Sequence, residues 1–265
     1  MPRPITLITG ASSGIGMELA RVFAQNGHAL ALLARSQPAL EVLRDELAQK
    51  YPKNSAPLII PCDMTSPDAL VQTQAALAAA DVQVNILVNN AGYGLTGPAH
   101  LLDLSDQLAM IDLNCRALTA FTLGFAKDLF AQKGRLLNVA STAAFQPGPG
   151  MAVYYASKSY VLSITQALAH EWAEQGVSVS ALCPGPTMTG FQKRAGWDDK
   201  MILPKLATTS ARDVAEAGFA GLMRGTRVII PGWLNKLTAK TAAFIPNAVL
   251  LPMVARIQSK RLTKT

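Results

Sequence analysis

At 265 residues, with 50% hydrophobic and only 15% charged, the chain has ample material for a buried core and is too apolar to stay disordered. The net charge of +7 is unevenly placed: from Ala217 onward there are eight Lys/Arg and no Asp or Glu, so the rest is close to neutral and no basic stripe with a nucleic-acid motif exists. No run of 18 consecutive apolar residues occurs, and the charge-free segment Thr241–Ala255 carries Pro246, Pro252 and Asn247, which speaks against a spanning helix.

The start, Met1-Pro2-Arg3-Pro4, leads into only five strand-like residues before Gly10, too few for the apolar region of a signal peptide. Strands are predicted at Ile5–Thr9, Ala29–Ala34, Leu58–Cys62, Asn85–Asn89, Arg135–Ala140, Val177–Cys183 and Arg227–Ile230. Their nearly continuous Val, Ile, Leu and Ala suit strands covered on both faces, as in a parallel sheet. Between them, helical spacing predicts Ile15–Asn26, Pro38–Lys50, Asp68–Ala80, Ser105–Gln132, Tyr154–Gln175 and Ala211–Arg224, the last with Ser210 as N-cap and Gly225 as its stop. Such alternation implies right-handed crossovers and a single α/β domain: a doubly wound parallel sheet of about seven strands with helices on both faces. The domain is expected over residues 1–232, with a C-terminal extension at 233–265.

Cys62, Cys115 and Cys183 are widely spaced in apolar segments, so neither a disulfide framework nor a zinc site is expected, and a reducing, cytoplasmic location is. His28, His100 and His170 are scattered, and no metal is expected.

The first strand runs into Thr9-Gly10-Ala11-Ser12-Ser13-Gly14-Ile15-Gly16. Glycines there let the backbone turn and approach a pyrophosphate, and the following helix N-terminus offers N–H groups and partial positive charge. A purely structural turn is the plainer alternative; placement directly after the opening strand favours the phosphate. A site selecting NAD usually offers an acidic side chain to the ribose 2′-hydroxyl about twenty residues on. This chain has no Asp or Glu between Glu18 and Glu41, and its second strand ends Leu33-Ala34-Arg35-Ser36. A guanidinium holds a 2′-phosphate that a carboxylate would repel, so NADP (NADPH) is the expected cofactor.

Tyr154-Tyr155-Ala156-Ser157-Lys158 sets Tyr154 and Lys158 four residues apart, on one helix face. A phenol titrates near ~10 in water, and a neighbouring ammonium favours its ionised form, so the pair can exchange protons near neutrality. Ser141 follows a buried strand, Asn89-Asn90-Ala91-Gly92 follows another, and Asn114 lies in the long helix after that.

Taken together, these motifs resemble the short-chain dehydrogenase/reductase family over residues 3–232, with Asp63 after the third strand and Pro184-Gly185 completing the order. The resemblance implies a Rossmann-type fold and a catalytic set of Asn114, Ser141, Tyr154 and Lys158. It implies that Tyr154 exchanges the proton with a carbonyl or alcohol oxygen, that Lys158 binds the nicotinamide ribose, that Ser141 bonds the substrate oxygen and that Asn114 holds a water. The cofactor would meet Gly10, Ser12, Ser13, Gly14, Ile15, Gly16 and Arg35. Asp63 would meet its adenine, Asn90 and Ala91 its ribose, and Pro184, Gly185 and Thr187, with Tyr154 and Lys158, its nicotinamide side. The implied partner is a small carbonyl or alcohol substrate, and the implied assembly a homodimer or homotetramer. An alternative of another class is a catalytically silent sensor of NADP(H) on the same fold.

The segment 187–209 is where the family keeps its substrate loop. Here it carries Met188, Phe191, Trp197, Met201, Ile202 and Leu203 among Lys193, Arg194 and Lys200. These side chains suit an apolar or acyl-chain ketone or aldehyde; a loop that simply packs on the core is the alternative. The extension interleaves apolar residues with Lys236, Lys240, Arg256, Lys260, Arg261 and Lys264, while Pro246 and Pro252 are expected to limit it to short helices. Three surfaces are open to it: an anionic membrane, the body of the domain over the pocket, or a second subunit.

Overall fold

The computed structural model describes residues 2–188, 195, 208–242 and 244–259. The chain alternates strand and helix through β1 (Arg3–Thr9), α1 (Gly14–Gln25), β2 (Leu30–Ala34), α2 (Gln37–Lys50), β3 (Leu58–Pro61), α3 (Ala69–Ala79) and β4 (Val82–Asn89). It continues with α4 (Leu104–Ile111), a π-helical turn (Asp112–Ala117), α5 (Leu118–Gly124), α6 (Ala126–Ala131), β5 (Arg135–Val139) and α7 (Ala152–Glu171). The remainder is β6 (Ser178–Leu182), β7 (Thr187–Met188), β8 (Thr209–Ser210), α8 (Ala211–Met223), β9 (Val228–Ile229), α9 (Trp233–Ala242) and α10 (Asn247–Ser259).

Seven strands form one all-parallel sheet in the order β3-β2-β1-β4-β5-β6-β9. Strand β2 shows why its sequence is unbroken in apolar residues. Leu30, Leu32 and Ala34 face a core built with Phe23 of α1, Leu43 of α2 and Val214 of α8. Ala31 and Leu33 face the opposite core, with Leu77 of α3, Phe121 of α5 and Leu168 of α7. Both faces are covered by helices, which is the doubly wound arrangement. The chain reverses its direction of winding between β1 and β4, and in such sheets the crevice beyond the carboxyl ends of those strands receives ligands.

The predicted elements recur with ends shifted by no more than four residues, apart from one helix. The segment expected as a single helix over 105–132 is divided by the π-helical turn, which contains Asn114, and again at Phe125. The extra residue of a π turn re-aims the side chains after it, and such turns gather at functional sites. At Gly124 a Cβ would fall 2.5 Å from Leu70 Cδ2, so the Leu70 side chain on α3 would have to turn aside for any larger residue there.

The two ends of the segment 187–209 meet: Thr187 and Met188 of β7 pair in parallel with Thr209 and Ser210 of β8. The side chains of Met188, Phe191, Lys193, Arg194, Trp197, Lys200, Met201, Ile202 and Leu203 lie outside the described residues. At the far stem, Ser210 Oγ accepts from Asp213 N at 3.0 Å and caps α8, the role its sequence position suggests.

Beyond β9 the extension forms α9 and α10, separated near Pro246, while Lys260, Arg261 and Lys264 lie outside the described residues. Pro252, expected to break the helix, sits inside α10 instead. Proline removes the bond to the carbonyl four residues earlier, but Ala248 and Pro252 are both exposed, so water can satisfy that carbonyl. One side of these helices is buried through Asn235, Ala239, Ala242, Leu250, Val254 and Gln258. The other exposes Trp233, Leu237, Phe244, Val249 and Met253 beside Lys236, Lys240 and Arg256. Among the described residues, no helix is long and apolar enough to cross a membrane.

Candidate active site

A cleft of about 910 Å³ opens at the carboxyl ends of the central strands and runs from Arg35 and Asp63 at one end to Tyr155 and Gln258 at the other. Of the residues expected to bind cofactor or act in catalysis, all but Gly16 and Asn114 line it; these two lie behind the wall.

At the nucleotide end, Gly10 (φ +65°) and Gly14 (φ +57°) adopt left-handed backbone conformations that side chains disfavour. Gly16 answers a different demand: a Cβ there would fall 2.3 Å from both Gly10 O and Asn90 Nδ2. The loop is held from the next strand. Thr9 Oγ1, fully buried, accepts from Asn90 N at 3.0 Å and Ala91 N at 3.1 Å. Asn90 Nδ2 in turn donates to Thr9 O and Gly10 O at 3.0 and 3.2 Å. Asn90 therefore fixes the loop with its side chain while lining the cleft. The N-terminus of α1 carries no acidic residue in its first turn, leaving its partial positive charge for an anion. A turn of glycines and small serines, open to the cleft and backed by that helix end, fits a pyrophosphate.

Arg35 is the cation at this end of the cleft among the described residues, and Ser36 lies next to it. Its side chain is 60% exposed, and Nη1 lies 4.0 Å from Asp63 Oδ2, a pairing across β2 and β3 that the sequence did not announce. Asp63 Oδ1 accepts from Thr65 N and Oγ1, at 2.9 and 2.7 Å.

At the other end, Pro184 O draws the tips of β5 and β6 together, accepting from Thr142 N at 2.9 Å and from Ser141 Oγ at 3.4 Å, while Ser141 Oγ accepts from Ala143 N at 3.1 Å. Lys158 is 6% exposed; its Nζ donates to Val139 O at 2.9 Å and lies 5.9 Å from the centre of the Tyr154 ring. Burial pushes the ammonium down to about 8, against a smaller opposing pull from Cys115 and Cys183. Asn114, 1% exposed, accepts from Tyr93 N with Oδ1 at 3.2 Å and donates with Nδ2 to Tyr93 O at 2.9 Å and Ser157 Oγ at 3.0 Å. It clamps the loop after β4 to α7 one residue before Lys158. At Gly92 a Cβ would fall 2.9 Å from Asn114 Oδ1 and 3.4 Å from Lys158 Nζ, so that glycine keeps the space between them open.

The sequence did not single out Tyr93, Gln146, Met151, Tyr155, Asn235, Val254 and Gln258, which line the Tyr154 end of the cleft. Those in the extension belong to no motif, and only the fold brings them here.

The family model described as short chain dehydrogenase matches residues 4–200. Serine 3-dehydrogenase of Agrobacterium fabrum is 36% identical over 186 residues, covering 70% of this chain and 72% of that protein. Sulfoacetaldehyde reductase 2 of Chromohalobacter salexigens is 35% identical over 222 residues, covering 81% of this chain and 86% of that one. A solved short-chain dehydrogenase from Sphingobium yanoikuyae, in complex with NADPH, superposes with a TM-score of 0.80 at 31% identity, covering 91% and 93% of the two chains. The curated relatives are named for reactions, which gives the catalytically silent alternative no support. With its parallel sheet, its glycine turn and this match over most of its length, the chain belongs to the short-chain dehydrogenase family and is an oxidoreductase acting between alcohol and carbonyl.

Proposed function

We propose that the enzyme is an NADPH-dependent reductase of neutral, apolar ketones or aldehydes. Arg35 carries the cofactor half of this reading: a guanidinium stands where an NAD-selective site usually offers a carboxylate, with Ser36 beside it. The NADPH complex of the Sphingobium relative supports the same choice. The substrate half rests on the side chains that line the cleft around Tyr154. Tyr93, Met151, Tyr155 and Val254 around it favour an uncharged partner.

The hydride is the contribution of bound NADPH. The glycine turn and the α1 N-terminus hold its pyrophosphate, Arg35 the 2′-phosphate, Asp63 the adenine, Asn90 and Ala91 the adenosine ribose, and Pro184, Gly185 and Thr187 the nicotinamide side. Tyr154 gives its phenolic proton to the carbonyl oxygen, and the Lys158 ammonium behind the ring favours the charge left on that phenol. Lys158 also bonds the nicotinamide ribose. Ser141 donates to the substrate oxygen as charge builds on it. Asn114 keeps α7 in register with the loop after β4 and holds the water that links Lys158 to solvent.

Leu104, Leu108, Ile111 and Leu123, exposed along α4 to α5, support assembly of the enzyme with a second copy of itself. The test of the reaction is NADPH oxidation with apolar ketones, aldehydes and 3-oxoacyl thioesters beside sulfoacetaldehyde. Apolar compounds are expected to give the higher kcat/KM; a clear preference for the sulfonate would overturn the substrate class.

A further inference from the structure

The catalytic roles above leave α10 unused, although it forms one wall of the cleft beside Tyr154. Gln258 is 2% exposed, and its Nε2 donates to Tyr155 Oη at 2.6 Å across 103 residues of sequence. Leu250 and Val254, two turns and one turn earlier, are also buried and fix the helix on the body. Tyr155 is gripped from the other side too: a Cβ at Gly148 would lie 2.3 Å from its ring, and one at Gly150 would lie 3.4 Å from Gln258 Cβ. Gly148 leaves the room that the phenol ring fills, while Gly150 is called for by its left-handed backbone (φ +82°) rather than by space. Tyr155 directly follows Tyr154, and their rings stand edge to face with centroids 6.1 Å apart. The clasp is thus a closed wall standing beside the proposed proton donor, and both its members line the cleft.

We infer that Gln258 and Tyr155 form a specificity-determining pair that limits how long a substituent the carbonyl substrate can carry. The inference rests on the reading of Tyr154 as the proton donor, since that places the carbonyl beside the clasp. A chain running from that carbonyl toward α10 ends against the bonded amide and phenol, neither of which offers it a charge. Shorter chains leave apolar contacts unmade, and longer ones must part the buried Gln258–Tyr155 hydrogen bond, which costs them binding. Selectivity therefore peaks at one chain length. In pockets of this kind one methylene changes discrimination by roughly tenfold or more.

The experiment uses methyl ketones of increasing length, from butanone to undecanone, with the full-length protein saturated with NADPH for kinetics and with NADP+ for binding by calorimetry. In Gln258→Ala the optimum is expected to move to longer ketones, with KM and Kd for the long members falling by about tenfold relative to the short ones, while NADPH affinity stays as in wild type. Gln258→Asn, one methylene shorter, is expected to move the optimum the same way by less, and it decides the matter if the alanine variant does not fold. A uniform change across the series, or none, overturns the clasp. The binding series separates this inference from the catalytic reading: a wild type that binds the ketones with a length optimum but never reduces them refutes the reductase and leaves the clasp standing. Absence of any binding refutes the clasp.

Discussion

Lys158 Nζ donates to Val139 O at 2.9 Å and stands 5.9 Å from the Tyr154 ring centre, so one buried ammonium is tied to the end of β5 and faces the proposed acid. Tyr154→Phe keeps the ring and removes only the proton donor. Turnover is expected to fall by about 10²–10⁴, with NADPH affinity within a factor of about two of wild type. Lys158→Ala is expected to lower both. Steady-state kinetics with fluorescence titration of NADPH checks the pair, and near-normal turnover in Tyr154→Phe would place the acid elsewhere.

The same lysine makes stability depend on pH. Burial lowers it to about 8 from 10.5, so the unfolded chain binds the proton more tightly than the folded one between these values. Its contribution is therefore a penalty that is fully present below about 8 and is relieved as pH rises toward 10.5. Lys158→Met, which cannot carry the charge, is expected to exceed wild type in stability of the cofactor-free protein at pH 7, with the gap narrowing as pH rises through that window. Urea unfolding at several pH values reads this out; a gap that is constant with pH counts against a buried charge.

Arg35→Ala is expected to weaken NADPH by about 1.5–3 kcal/mol, the worth of hydrogen bonds to a charged group, and to leave NADH nearly unchanged. Asp63, 4.0 Å away, loses its cationic neighbour in this variant, which disfavours the phosphate further. Equal affinity of the wild type for NADH and NADPH would refute the assignment.

Gly16→Ala tests the cradle without removing a polar group. Its new methyl would meet Gly10 O at 2.3 Å, a backbone atom that cannot swing aside, so the loop must shift. Dinucleotide affinity is expected to drop at least about tenfold, since a displacement of about 1 Å is costly where groups are preorganised, with circular dichroism unchanged. Unaltered affinity would mean that the loop relaxes freely.

Leu108→Glu places a charge among exposed apolar side chains on α4. A smaller assembly on a sizing column is expected, with the far-ultraviolet spectrum retained; an unchanged elution volume would remove this face from the interface.

The cofactor end of the cleft was legible in the sequence because its determinants are local. A glycine turn between a strand and a helix, and an arginine closing the next strand, are each written in a few consecutive residues. The π-helical turn at 112–117 was not, since helical spacing persists through it and only the bonds from Asn114 to Tyr93 and Ser157 explain why the helix winds differently there. The salt-bridge partner of Arg35 was hidden because β2 and β3 are neighbours only once the sheet has formed. The tail was the least readable part. Folding over the pocket was one of three roles open to it, but the residues that carry its chemistry at the cleft, Asn235, Val254 and Gln258, are neutral and without a pattern.

The C-terminal wall also orders events during synthesis. A chain leaving the ribosome N-terminus first presents the glycine turn, Arg35 and the Tyr154–Lys158 pair well before Gln258 exists. Capturing a dinucleotide and choosing a carbonyl are thus acquired at different moments, and selectivity comes last. A chain clipped between α9 and α10 should keep the first ability and lose the second, and mild proteolysis followed by nucleotide titration and ketone assay would show it. Retained chain-length preference after such a cut would deny the wall its part.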